Sequence, residues 1–75
     1  MSQVMTMAEM EKSFDSEWVL VGDPEFNDRM EVVRGTVLYH SGDKEEVYRK
    51  DREIQPRSAA YVYTGPPPDN VLINL

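Results

Sequence analysis

Two adjacent residues, His40 and Ser41, are the first candidates for chemistry, because a histidine base can activate a serine hydroxyl as a nucleophile. They end an alternating apolar run within residues 35–50, GTVLYHSGDKEEVYRK. Successive residues of a strand point to opposite faces, so the pair is poorly placed for the contact of about 3 Å that a dyad needs. His40 is the only histidine in the chain, so no other serine has a histidine base. We therefore predict no hydrolase dyad and no enzyme activity.

Carboxylates form two clusters that could bind a metal ion or act as a general acid and base. Neither cluster has the ligand spacing and central glycine of an EF-hand calcium loop. A glycosidase-like pair needs two carboxyl groups held across a formed cleft, which a single small domain rarely offers. The sequence therefore favours solvated acidic surfaces, and we predict no metal and no cofactor. The clusters are Asp23, Glu25, Asp28 and Glu31, and Asp43, Glu45 and Glu46.

The composition narrows the classes of partner. Fourteen acidic against eight basic residues give a net charge of −6, which opposes contact with phosphates, so no nucleic-acid partner is expected. The absence of cysteine excludes disulfides, thiolate zinc sites and thiol catalysis. No apolar run is long enough to span a bilayer, so we expect no membrane association and a cytoplasmic location.

A short amphipathic helix is predicted near the N-terminus, at about residues 6–14. Thr6 and Glu9 have the spacing of a capping box. Apolar residues recur at spacings of three and four, which predicts an apolar stripe along the helix. The stripe either packs on the chain's own sheet or binds a partner or a second copy, since methionine side chains adapt to many surfaces. The residues of the stripe are Val4, Met7, Met10 and Phe14.

The next segment predicts a hairpin. Residues 17–22, EWVLVG, are rich in β-formers and apolar on both faces, which indicates a central strand ending at the turn Gly22-Asp-Pro24. A polar loop over residues 23–31 then leads to a second strand at about residues 30–40. Gly35 lies inside that strand, where glycine typically marks a bulge or a close backbone approach.

A second helix follows, with Ser41 or Asp43 as its cap and with Asp43 and Glu46 at capping-box spacing. Only a few apolar residues are available to dock this helix on the sheet. After Pro56, residues 59–64 predict a third strand, and Val71 to Leu75 predict a short final strand. The docking residues of the helix are Val47, Tyr48 and Ile54.

These elements predict a small α+β domain whose order is helix, strand, strand, helix, strand, strand. Its sheet has three to four strands with the helices packed on it. If the second and third strands run parallel in one sheet, the helix between them is a crossover connection. We divide the chain into an N-terminal amphipathic helical segment, residues 1–16, and an α+β part, residues 17–75, of one domain overall.

Three segments together resemble a family of short, uncharacterised cyanobacterial proteins. They are EWVLVGDPE at residues 17–25, the run at residues 35–50 and YVYTG at residues 61–65. The pattern is also similar to a broader bacterial domain of unknown function. The resemblance implies the same order of hairpin, helix and strand, and it brings no catalytic residue. It further implies a partner or antitoxin-like role within a gene-pair complex.

Two functions remain open. The first is a non-catalytic protein-interaction or regulatory module that binds a protein partner or forms a homodimer. Its candidate contacts lie on the N-terminal stripe, and on the final strand by strand addition. The second is a small-molecule or metal-binding domain with an aromatic-lined pocket. The contacts of the first are Val4, Met7, Met10, Val71 and Ile73, and the pocket residues of the second are Trp18, Tyr39, Tyr61 and Tyr63.

Overall fold

The structure, a computed structural model, describes residues 3–65 of the chain. Four strands form one sheet in the order β1-β3-β2-β4, and every neighbouring pair is antiparallel. The predicted α+β class is therefore confirmed. The predicted final strand, with Val71 and Ile73, lies outside the described residues. The elements are β1 (Gln3–Thr6), α1 (Met7–Ser13), β2 (Trp18–Phe26), β3 (Val32–Ser41), α2 (Lys44–Ile54) and β4 (Ala59–Tyr63).

Strand β1 is an element that the sequence analysis missed. It pairs with residues 34–37 of β3 and runs directly into α1. Side chains alternate along a strand, so Met5 points into the core with 7% of its surface exposed, whereas Val4 is 61% exposed. The assignment of Val4 to the helical stripe is therefore wrong. The four residues of β1 are too few to show an alternating pattern against the helical spacing of Val4 and Met7.

The predicted capping box at the start of α1 is confirmed. The Thr6 hydroxyl accepts a hydrogen bond from the Glu9 amide at 3.2 Å, and the Glu9 carboxylate accepts one from the Thr6 amide at 2.8 Å. The helix ends at Ser13, where the Phe14 amide donates to the Met10 carbonyl. One turn of α1 thereby places Met10 against the sheet, fully buried.

Strand β2 is central, as predicted, because it pairs with both β3 and β4. On one face, Val19 and Val21 form a core with Met5 and Met10, which places α1 there. The opposite face carries Trp18 and Leu20 by strand alternation. Helix α2 covers that face and contributes the buried Val47. Both apolar faces of β2 are therefore covered by a helix.

The predicted turn at Gly22-Asp-Pro24 is wrong, because β2 continues to Phe26. Its pairing with β3 shifts register between Gly22 and Glu25, and Asp23 has a positive φ of 47°. Pro24 has no amide hydrogen to donate, and it lies where the bulge interrupts the ladder. The strand therefore passes through a proline that would have ended a regular ladder.

Gly35 is buried on β3 at a close approach to the central strand, as its position predicted. A Cβ at this position would lie 2.3 Å from the Val21 Cγ1 atom and 3.1 Å from the Gly22 carbonyl oxygen. Only glycine lets β3 lie against β2 here without displacing a buried valine.

Helix α2 connects β3 to β4. These two strands are both antiparallel to β2, so they run parallel to each other with β2 between them. The condition for a crossover connection is therefore met. Of the predicted docking residues, Val47 is buried, Tyr48 is half-buried and Ile54 is 43% exposed. Within residues 3–65, neither helix has the length and apolar character to cross a membrane.

Candidate functional site

His40 and Ser41, which were predicted not to form a catalytic dyad, bond to different residues. The His40 Nδ1 atom lies 2.8 Å from the Glu17 carboxylate, and its ring stacks on Phe14 with 4.0 Å between centroids. The Ser41 hydroxyl donates to the Glu46 carboxylate at 2.7 Å. His40 thus lies with the α1 side of the sheet, whereas Ser41 connects to α2. The hydroxyl of Ser41 therefore bonds to Glu46 and not to His40.

Several carboxylates of the two acidic clusters likewise have local partners. Glu25 pairs with Arg34 at 2.8 Å, and Glu31 accepts a hydrogen bond from the Asn27 side chain at 3.0 Å. Asp43 caps α2 by accepting from the Glu45 amide. Among the residues that the structure describes, no three His, Asp or Glu side chains are grouped to hold a metal ion.

The four aromatic residues predicted to line a pocket mainly pack under α2. Trp18 and Tyr63 lie 5.0 Å apart between ring centroids, and Tyr61 packs edge-on against Tyr48 at 4.9 Å. The Lys44 ammonium lies 4.5 Å from the Trp18 ring centroid, at cation–π distance. Only Tyr39 borders one of the two described cavities, an open hollow of about 590 Å³ that also contacts Phe14.

The Tyr61 hydroxyl donates a short hydrogen bond of 2.5 Å to the Asp51 carboxylate. This hydrogen bond, with smaller effects of burial and of the Asp51 charge, raises the pKa of Tyr61 to about 12. The contact joins β4 to α2, so it has a structural role in holding the helix over the sheet.

The predicted contact face of Val4, Met7 and Met10 is not formed as one surface. Met10 is fully buried and Met7 packs, partly buried, against the same core. Val4 is exposed on β1 and faces away from that core. Of the two alternatives for the methionine stripe, packing on the chain's own sheet is therefore the one observed. Met10 is not available to a partner, because its whole side chain fills the core.

Another candidate contact surface lies at the end of the β2–β3 hairpin that carries the turn. The last pair between β1 and β3 is Thr6 with Arg34, and the last pair between β4 and β2 is Ala59 with Gly22. Beyond these pairs, the two strands of the hairpin pair only with each other within the described residues. We call residues 24–33 the hairpin arm.

The turn of the hairpin arm is fixed by Asn27. Its side-chain oxygen accepts hydrogen bonds from the amides of Arg29 and Glu31, at 2.9 and 3.0 Å. The backbone amide of Asn27 donates to the backbone carbonyl of Glu31, and the backbone amide of Met30 donates to the backbone carbonyl of Asn27. An asparagine that bonds its own backbone in this way specifies a tight turn. The tip of the arm is therefore a defined structure that can present side chains.

The hairpin arm exposes three large apolar side chains. Met30 is 73% exposed, Phe26 47% and Val33 39%. Phe26 pairs across the arm with Val32, which packs against the core, so the apolar surface continues from the core onto the arm. Sequence reasoning treated residues 23–31 as a polar loop and placed Val33 in the strand that follows. The available signal was the presence of these three residues among Glu and Asp side chains.

Met30 also has an unusual backbone conformation. Its φ of 64° lies in the left-handed region, which residues with a Cβ adopt at a cost of roughly 1 to 2 kcal/mol and which asparagine and glycine tolerate better. Neither burial nor backbone preference favours methionine at this position. A residue that is unfavourable for the fold in both respects is a candidate for a binding role.

Comparison with known proteins adds no relative: no family model matches the chain, and neither curated proteins nor solved structures give a match. The resemblance to the cyanobacterial family stays a prediction.

Proposed function

We propose that this chain is a non-catalytic protein-interaction module that binds another protein through the hairpin arm. The observation that carries the proposal is Met30, which is 73% exposed in a left-handed conformation at the tip of a hydrogen-bonded turn. The flexible thioether of methionine suits it to apolar partner surfaces. Phe26 adds an exposed aromatic ring on the same arm, and aromatic residues are enriched among the interface residues that contribute most of the binding energy.

The charges of the arm favour a particular kind of partner. The arm carries three carboxylates, those of Glu25, Asp28 and Glu31, and one basic residue, Arg29, and Glu25 is paired with Arg34 at the base of the arm. We infer that the partner offers an apolar groove with Lys or Arg side chains at its rim, since complementary charges direct association. A partner of this kind agrees with the smaller-subunit role that the family resemblance implies.

The absence of catalysis is part of the same proposal. Three of the residues that sequence reasoning considered for chemistry have structural partners: His40 with Glu17, Ser41 with Glu46, and Asp43 with an amide of α2. These contacts support a role in folding for residues that in sequence resemble an active-site loop.

A Met30→Asn variant tests the proposal. Asparagine tolerates the left-handed conformation, so the variant should melt at the same or a higher temperature than the wild type. It should also recover at least tenfold less of the partner, because it removes the most exposed apolar contact. Recovery is measured by affinity capture from the native host and quantitative mass spectrometry. Val4→Thr is the matched control, since Val4 is similarly exposed but lies outside the arm.

The two variants separate the possible outcomes. A protein lost with Met30→Asn and retained with Val4→Thr supports the arm. Loss only with Val4→Thr would move the contact to β1 and refute the arm. A wild-type chain that captures nothing would refute the interaction module itself.

A small-molecule site is a second candidate, favoured by the open hollow next to Phe14. Its volume of about 590 Å³ falls within the range of ligand pockets, roughly 300 to 1,000 Å³. Met5, Phe14 and Val37 make the lining largely apolar, and Gln3 and His40 add polar groups. A thermal-shift screen with metabolites tests it: a ligand that raises the melting temperature supports the site, and no shift with any compound contradicts it.

A further inference from the structure

Within the described residues, no strand pairs with the outer edge of β4. Within residues 3–65, β4 pairs only with β2, and this pairing contains no bulge. The sequence of β4, AAYVY, has no charged residue and no proline. Natural edge strands usually carry a lysine, a proline or a bulge that prevents pairing with another chain. None of these features is present in β4, which makes this edge suited to strand addition.

The backbone groups at this edge follow from the hydrogen bonds that flank β4. The Thr64 amide donates to the Glu17 carbonyl at 2.9 Å, and the Asp23 amide donates to the Ser58 carbonyl at 3.0 Å. Bonded and non-bonded pairs alternate along an antiparallel ladder. Ala60 and Val62 therefore bond to β2. The amides and carbonyls of the alternate residues, Ala59, Tyr61 and Tyr63, point to the outer edge.

We propose that a second copy of this chain pairs at the outer edge of β4, antiparallel, with the two-fold axis at Tyr61. In this register, Tyr61 pairs with its counterpart and Ala59 pairs with Tyr63 of the second copy. Every pair joins two residues whose backbone groups point outward, so all the outward groups become bonded. A register shift of one residue would place outward-pointing backbone groups opposite inward-pointing ones, and those could not form hydrogen bonds. The edge is thus self-complementary, as a two-fold interface requires.

Charge favours a second copy at this edge over the acidic hairpin arm. Two chains of net charge −6 repel each other, and the acidic hairpin arm adds to that repulsion. Strand β4 itself is uncharged, and the charges near Tyr61 on α2, Asp51 and Arg52, have opposite signs. Tyr61 and Tyr63 are each 38% exposed, and cross-strand pairing would cover them. The inference does not depend on the proposed role of the arm.

The test compares the oligomeric state of two variants of the full chain at Tyr61. Tyr61→Phe keeps the strand uncharged and should remain a dimer, of twice 8.7 kDa. Tyr61→Lys places two like charges directly opposite each other across the axis, while within one chain the lysine can pair with Asp51. It should be monomeric at concentrations at least tenfold above those where the wild type dimerises. Analytical ultracentrifugation gives the masses, and Trp18 fluorescence verifies that both variants are folded.

Hydrogen exchange supplies a second measurement on the wild type. The amides of Tyr61 and Tyr63 should become more protected as protein concentration rises, whereas the inward amides of Ala60 and Val62 should be protected throughout. A wild type that stays monomeric would overturn the proposal, whether residues 66–75 or another protein cover the edge. A folded Tyr61→Lys variant that dimerises like the wild type would also overturn it.

Discussion

The hydrogen bond between Tyr61 and Asp51 joins a residue of β4 to a residue of α2, ten positions apart in sequence. Sequence reasoning placed Tyr61 in the third strand and, in the alternative function, in the lining of an aromatic pocket, because its ring was the visible signal. Its hydroxyl partner depends on how α2 lies on the sheet, which no local pattern specifies. The Thr6–Glu9 capping box, in contrast, was predicted correctly because both partners lie within one turn of helix.

Removing the Asp51 carboxylate should change the titration of Tyr61. The folded chain holds the phenolic proton with a pKa of about 12, against 10 when unfolded. Folding therefore gains stability from this contact below pH 10, and the gain is lost as the pH rises through 12. Asp51→Ala should return the pKa of Tyr61 toward 10. The measurement is the ultraviolet absorbance of phenolate, compared with that of Tyr61→Phe.

The comparison with Tyr61→Phe identifies the residue. That variant should lack the late-titrating tyrosine altogether, leaving the other three of the four. A late-titrating component that persists in Asp51→Ala would show that another group raises the pKa.

At the scale of the element, the start of α2 differs in detail from its prediction. The capping box between Asp43 and Glu46 is not formed. Instead, the Ser41 hydroxyl accepts from the Asp43 amide at 3.0 Å and donates to the Glu46 carboxylate. Both candidate caps, Ser41 and Asp43, therefore serve the same helix. Sequence spacing predicted the residues correctly, but Ser41 replaced Asp43 as the direct partner of Glu46.

A Ser41→Ala, Asp43→Ala double substitution should lower the free energy of unfolding by roughly 1 to 2 kcal/mol, because the first turn of α2 loses its side-chain acceptors. The two single substitutions should not add up, since both residues belong to one hydrogen-bonded network. Urea denaturation of the four proteins measures this coupling. Ser13→Ala, an exposed serine at the end of α1, is the control and should change stability by less than about 0.5 kcal/mol. Additive single effects would contradict the network.

Non-local pairing explains the elements that the sequence did not predict. Strand β1 exists because residues 34–37 of β3 offer it an edge, and β2 continues past Pro24 because a bulge accommodates the proline. Long-range contacts of this kind decide where strands begin and end. The longer strands, in turn, create the hairpin arm, so the candidate site depended on the feature that sequence patterns describe least well.

For the whole molecule, the two helices cover opposite faces of one thin sheet. A domain of this length buries only about 60% of the surface that its extended chain exposes, so its free energy of unfolding is small. The core on the α1 side has four buried residues, Met5, Met10, Val19 and Val21. Both valines belong to β2, whose other face supports α2. Disrupting the core on the α1 side should therefore unfold both faces of the sheet, with their helices, in one transition.

Met10→Ala tests this cooperativity. Truncating a fully buried methionine typically costs about 2 to 5 kcal/mol, a large share of the stability of a domain this small. Trp18 lies on the opposite face of the sheet, beside Lys44 of α2. Because the valines of β2 connect the two faces, the Trp18 fluorescence transition should shift as far as the circular dichroism transition. Met7→Ala, at a partly buried position of the same helix, should shift both transitions less. A Trp18 transition that stays in place while the circular dichroism shifts would mean that α1 unfolds independently of the rest of the sheet.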